Sequence, residues 1–207
     1  MNTINQKDNP IIFWSAKFGD FFCLSIVWLM TCLLVVTIVP ASIALYDSVA
    51  HCIRGSEEGP VRRYFQTFKN ELLKGILINL LWIVIGVALY FGFRVLWVLG
   101  QTNSLMATYS LVYLITMLIP FGIFTWMIPV QSRFEHTFGS LHKAAALYCI
   151  VHLPSTLMLI ILFFSAVVLT LFFPVLGVLL PAITVTIQSW FIERAFKQHM
   201  PEETAES

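Results

Sequence analysis

Charge is what this chain has least of. No Asp, Glu, Lys or Arg stands between Asp20 and Asp47, between Lys74 and Arg94, between Arg94 and Arg133, or between Lys143 and Glu193. Only 11% of the 207 residues are charged and 58% are hydrophobic, whereas a soluble domain is about a quarter charged. That balance excludes a water-soluble globular fold. The 12 Lys and Arg leave a net charge of +1 and are scattered among loops, so there is no basic stripe of the kind that holds nucleic acid. The four cysteines, Cys23, Cys32, Cys52 and Cys149, form no CxxC pair. They read as buried thiols, not as a zinc or disulfide framework. Also missing are a Ser-His-Asp set, paired carboxylates inside the apolar stretches and a Gly-rich phosphate cradle, and without them no enzyme and no cofactor is expected. His136 and His142, with Glu135 beside the first, do not have the His-Glu-x-x-His spacing that puts two imidazoles on one helix face, so no metal is expected either.

What is present is long apolar sequence. A hydrocarbon core of roughly 30 Å takes about 20 helical residues at 1.5 Å each, so the first three charge-free stretches can each cross once and the fourth twice. The expected fold is therefore all-α, a polytopic membrane bundle of about five transmembrane helices. Helix one is expected from about Phe18 to Tyr46, helix two from about Leu72 to Val98 and helix three from about Leu105 to Val130. Two more share the run that begins at Ala144 and reverse at Phe172–Gly177, where Pro174 and Gly177 mark a break. Gln101–Ser104 makes the turn between helices two and three, its polar residues satisfying their own backbone outside lipid. The 1–207 chain reads as one membrane domain with a short N-terminal segment, 1–17, and a C-terminal tail, 195–207. The 1–17 segment lacks the charged start, short apolar run and small-residue site of a cleaved signal.

Positive residues resist translocation, which sets the expected orientation. With five crossings and the N-terminus outside, nine Lys and Arg face inward and three, Lys7, Lys17 and Arg94, face outward. The expectation is N-out and C-in at a bacterial cell membrane, unless helix one re-enters at Pro40 instead of crossing.

The two inward loops each carry an amphipathic pattern. In the first, Val61, Tyr64, Phe65, Phe68 and Leu72 fall on one face at 100° per residue, while Arg62, Arg63, Gln66, Lys69 and Asn70 cover the other. In the second, Phe134, Phe138 and Leu141 oppose Arg133, His142 and Lys143. Both are read as interfacial helices lying in the headgroup layer, facing lipid or a partner protein. Within the spans the polar candidates are Thr31, Thr37, Asn79, His152, Thr184 and Gln188. The plain reading for them is interhelical hydrogen bonding, and the sharper one is a solute or proton path. No acidic side chain within an expected span can partner His152. Pro40, Pro154 and Pro181 are read as helix kinks whose freed carbonyls Thr37, Ser155 and Thr156 can satisfy.

Trp28-Leu29, Val35-Val36-Thr37-Ile38-Val39-Pro40-Ala41-Ser42, Ala44-Leu45-Tyr46 and Phe65-x-x-Phe68-Lys69-Asn70 together resemble the YesL-like family of bacterial integral membrane proteins, a domain of unknown function. Ser132-Arg133-Phe134-Glu135, His152-Leu153-Pro154 and the Phe172–Gly177 reversal resemble its second half. Members typically carry Pro and Gly flanking the Val35–Ile38 core, where this chain has Leu34 and Val39. The resemblance implies a Gram-positive setting beside ABC-type sugar uptake systems. It thereby implies an accessory or scaffold component of carbohydrate uptake, whose partners are the lipid bilayer and an ABC-type sugar permease or its ATPase. A small-solute transporter or channel working as a homo-oligomer stays open as the alternative.

Overall fold

The computed structural model describes residues 10–54, 59–134 and 136–197. Among these the regular structure is helical throughout, in the order α1 (Pro10–Cys32), α2 (Ile38–Ser48), α3 (Pro60–Gly100), α4 (Ser104–Thr116), α5 (Leu118–Arg133), α6 (Phe138–Val151), α7 (Leu153–Phe172) and α8 (Leu180–Lys197). Short 3-10 turns, Val35–Thr37 and Pro174–Val178, precede α2 and α8, and a π turn, Val49–Arg54, extends α2. Four stretches are long and apolar enough to cross a membrane: Val35–Cys52, Pro60–Gly100, Ser104–Arg133 and Leu153–Phe172.

Helix one is not a single helix. The chain leaves α1 at Cys32 and doubles back, so that Trp28 Nε1 donates to Ser42 Oγ across the fold-back at 3.3 Å. The turn forms without Pro or Gly, because side chains satisfy its backbone. Thr37 Oγ1 donates to Leu34 O at 2.7 Å or to Thr31 O, while Asn79 Nδ2 of α3 donates to Val35 O at 2.8 Å. The fold-back follows the re-entrant alternative for helix one, with the turn just ahead of Pro40. The sequence alone did not decide between the two because the apolar run is unbroken, and hydropathy does not distinguish a span from a buried hairpin. Burial does: 72% of the Val35–Cys52 window is enclosed by protein, against 11% for Pro60–Gly100 and 17% for each of the other two. The α2 arm is enclosed by the rest of the protein, while the other three leave most of their apolar surface exposed.

The first amphipathic segment is likewise not a separate helix. It is the opening of α3, which runs unbroken for 41 residues, about 61 Å. Pro60 begins it, in the first turn where its missing N–H costs nothing, after Gly59 at φ 80. Its apolar face turns into the protein. Tyr64 is fully buried beside Leu45 and Val49, Phe68 packs on the same cluster, and Phe65 alone of the three aromatics is exposed. The segment expected as a separate interfacial helix is thus the first part of one continuous helix, and its Tyr64 face packs on Leu45 and Val49.

α3 and the nearly collinear pair α4 and α5 form a long antiparallel hairpin closed at Gln101–Asn103, where Asn103 Oδ1 accepts the Leu105 N–H and starts α4. Its register shows in Gly92 against the Tyr113 ring, Gly100 against the Ala107 backbone, Trp82 against Phe124 and Glu71 against Gln131. The expected helix three is thus divided at Met117.

The last stretch holds α6, a break at His152, α7, the expected reversal after Phe172, and α8. The second amphipathic helix is displaced as well. Arg133 ends α5, Phe134 packs edge-on against Phe196 of α8, and α6 begins at Phe138 and buries Leu141.

The three prolines read as kinks sit elsewhere. Pro154 and Pro181 are the second residues of α7 and α8, and Pro40 is the third of α2. All lie in first turns, whose N–H groups have no intrahelical acceptor anyway, so each proline starts a helix instead of bending one. Thr156 Oγ1 donates at the break to Cys149 O or His152 O, neither of them the Ile150 carbonyl that Pro154 leaves without an N–H.

Candidate functional site

Two arrangements concentrate polar chemistry. The first is a layer of charge at the end of the bundle where α3 begins and α5 and α8 finish. Asp47, only 5% exposed, projects from α2 onto α3. Its Oδ2 accepts from Arg63 Nε at 2.8 Å and Thr67 Oγ1 at 2.7 Å, and its Oδ1 accepts from Arg63 Nη2 at 3.1 Å. His51 Nδ1 lies 3.1 Å from Oδ1, one turn along. This is the two-point guanidinium fork on a carboxylate, the strongest ion-pair geometry available. Beside it Gln131 Nε2 donates to Glu71 Oε2 at 2.9 Å, tying α5 to α3. A second pair joins α5 to α8 through Arg133 Nε and Nη2 on Glu193 Oε1, which also receives the Tyr46 hydroxyl at 3.4 Å. Four helices are therefore cross-linked in one layer.

Of the residues expected in interfacial helices, Arg63 and Arg133 are the cations of these pairs. Arg62 and Lys69 are exposed on α3, while Val61 and Leu72 are half-buried there. Sequence reasoning missed Asp47, Glu71 and Glu193. It placed Asp47 at a span boundary and took the spans to hold no carboxylate, whereas the fold-back carries Asp47 into the interior. The available signal was the pairing of a lone acidic residue at the end of an apolar run with a basic helix downstream.

The second arrangement is a cavity of about 360 Å³ between the α1/α2 hairpin and α5, α7 and α8. Trp28, Phe121, Phe124 and Phe163 supply aromatic wall, and Thr184 and Gln188 are among its few polar groups. Gln188 Nε2 reaches Leu159 O at 3.4 Å. His152 does not line it; its ring stacks near Trp126 and Tyr148, where Trp126 Nε1 donates to Thr156 Oγ1 at 2.8 Å. Ser25, fully buried on α1, accepts the Ala182 N–H at 3.2 Å and so satisfies a first-turn donor of α8. Of the polar residues singled out in the spans, Thr37 and Asn79 meet at the hairpin turn, Thr184 and Gln188 meet in the cavity, and His152 stands apart. Among the cysteines Cys52 and Cys149 are buried as expected, whereas Cys23 is exposed and Cys32 half-buried. No group of three or more metal-ligating side chains occurs among the described residues.

Residues 21–93 contain α2, the fold-back and most of α3, and hence the Asp47, Arg63 and Thr67 cluster. That segment matches the family described as a protein of unknown function, DUF624. The match agrees with the YesL-like resemblance over about a third of the chain. Within the DUF624 segment lie both partners of the buried ion pair and both sides of the Val35 to Asn79 bond. Glu193 and Arg133 lie beyond it, as do α6, α7 and most of the apolar cavity. No curated protein and no solved structure matches the chain.

Proposed function

We propose that the chain is an accessory or scaffold subunit of a membrane transport complex, neither a conduit nor an enzyme in itself. The observation that carries this reading is how polar groups in the apolar region are used. Thr37, Asn79, Ser25, Trp126 and Thr156 join one helix or turn to another. The large cavity is walled mainly by apolar side chains. A carrier ordinarily holds unspent polar or acidic groups at membrane depth. Here the buried carboxylate is locked on Arg63. Meanwhile α3, α4 and α7 present Leu, Val and Phe outward along their length, a surface suited to lateral contact with another membrane protein. The link to ABC-type sugar uptake in a Gram-positive cell membrane rests on the family resemblance. Co-purification in mild detergent tests it: a permease or its ATPase should accompany the tagged chain, and the chain alone in proteoliposomes should give no sugar flux. Flux from the chain alone would transfer support to a transporter or channel acting as an oligomer, a reading favoured by Thr125, Thr184 and Gln188 in the cavity.

The fold-back also changes the preferred orientation. If α1 and α2 form a re-entrant hairpin, four crossings remain, formed by α3, by α4 with α5, by α7 and by α8. Both termini then share the side of the polar layer. Eleven of the 12 Lys and Arg fall on that side, and only Arg94 falls on the other. Lys74 and Arg94 are 20 residues apart on α3, about 30 Å, the thickness of the hydrocarbon core. Eleven against one is a stronger bias than nine against three, so we place both termini in the cytoplasm. A reporter fused ahead of α1 should be active only in its cytoplasmic form, and a glycosylation or phosphatase reporter active there would restore the N-out arrangement.

A further inference from the structure

The Asp47–Arg63 pair forms the floor of a second cavity, about 310 Å³ and open to solvent on the polar side of the bundle. Its walls are Gln66, Thr67 and Asn70 of α3 with Glu71 and Ser132. We propose that this cavity binds a small neutral polyhydroxylated solute, a free sugar or polyol.

The argument is an inventory of unspent hydrogen-bonding capacity. Both Asp47 oxygens already accept donors, and the Arg63 fork is turned onto them. The ion pair therefore presents little net charge. Glu71 commits only Oε2, to Gln131, leaving Oε1 as an acceptor. Gln66 and Asn70 point exposed amides, each both donor and acceptor, from consecutive turns of one α3 face. Ser132 lines the cavity as well, and its hydroxyl oxygen is buried without a hydrogen-bond partner, which leaves a donor and acceptor uncommitted at the wall. Such alternation of donors and acceptors suits vicinal hydroxyls, each of which both donates and accepts. An anion is disfavoured because Arg63 is already spent on Asp47 and the remaining charge in the lining is the Glu71 carboxylate. A metal ion lacks its ligand set, since no group of three or more metal-ligating side chains exists among the described residues. An organic cation would find a single half-used carboxylate flanked on its own helix by Lys69 and Lys74. The volume lies at the lower end of the roughly 300–1,000 Å³ of small-molecule sites, so the solute is monosaccharide-sized.

The proposal adds a ligand to the accessory role, and its test is independent of any partner. Saturation-transfer NMR and calorimetry on the detergent-purified full chain, with glucose and sorbitol as probes and lysine and inorganic phosphate as controls, should show saturable binding of a neutral probe only. Asn70→Leu and Gln66→Leu remove exposed side chains without an assigned packing role and should each weaken binding about tenfold, equivalent to about 1.4 kcal/mol. Ser132→Ala should weaken it by a smaller factor. Absence of saturable polyol binding to a folded chain, binding of lysine or phosphate in place of the polyol, or affinity unchanged in both Leu variants would each overturn the assignment. Failure of co-purification would leave it standing, and failure of polyol binding would leave the accessory role standing.

Discussion

Arg63→Ala should be the more damaging half of the Asp47–Arg63 pair, lowering stability by about 3–5 kcal/mol, because it leaves a carboxylate buried without its counter-charge. The asymmetry follows from exposure. The Asp47 side chain is 7% exposed and the Arg63 side chain 32%. After Asp47→Ala the guanidinium can swing to water along its aliphatic stem, so that change should cost about half as much. Thr67 and His51 would remain beside Asp47 but cannot replace a two-point guanidinium fork. The joint replacement Asp47→Leu with Arg63→Leu should recover most of the loss, since an apolar pair of similar volume avoids the desolvation cost of both charges. Thermal unfolding in a single detergent, scored for the two singles and the double, checks this. A double variant as unstable as the sum of the singles would show that the pair does not act as a unit.

Gly75→Ala should separate α2 from α3. A Cβ at residue 75 would stand 2.7 Å from Pro40 Cβ, 2.8 Å from Pro40 Cδ and 3.0 Å from Pro40 Cα. Two effects oppose each other. Alanine in a helix interior gains up to about 1 kcal/mol over glycine, while overpacking against a rigid proline ring costs about 1–3 kcal/mol. The ring cannot rotate away as a flexible side chain could, so the clash wins and the net change is a loss of about 1–2 kcal/mol. Gly86 has nothing within 4 Å of its would-be Cβ, so Gly86→Ala should stabilise the same helix. Opposite signs of shift in unfolding temperature for the two variants are the expected result, and equal signs would refute the close approach at Pro40.

The membrane character and the helical fold were legible because apolar length and the scarcity of charge are local properties. The turn at Gln101–Ser104 and the reversal after Phe172 were legible for the same reason, being marked by Asn103, Pro174 and Gly177. What could not be read was which apolar segment meets lipid and which meets protein. Leu33, Leu34 and Val35 at the exposed fold-back and Ile43, Ala44 and Leu45 in the core are the same kind of residue. Only tertiary contacts, such as Asn79 reaching Val35, separate them. The prolines misled for a related reason, since Pro40, Pro154 and Pro181 start α-helices whose α-helical predecessors end two to eight residues earlier. The site was half visible: Arg63, Arg133, Thr184 and Gln188 stood out by type, whereas Asp47, Glu71 and Glu193 acquire meaning only through partners 16 to 60 residues away.

With no break between Pro60 and Gly100, α3 is a stiff rod about 61 Å long that touches the polar cavity at one tip and the distal loop at the other. A tilt of about ten degrees pivoted at its inner tip would swing the outer one by roughly 10 Å. Under the proposed solute site, a displacement at the Pro60 end would have in this helix a mechanical lever reaching the Gly100 end.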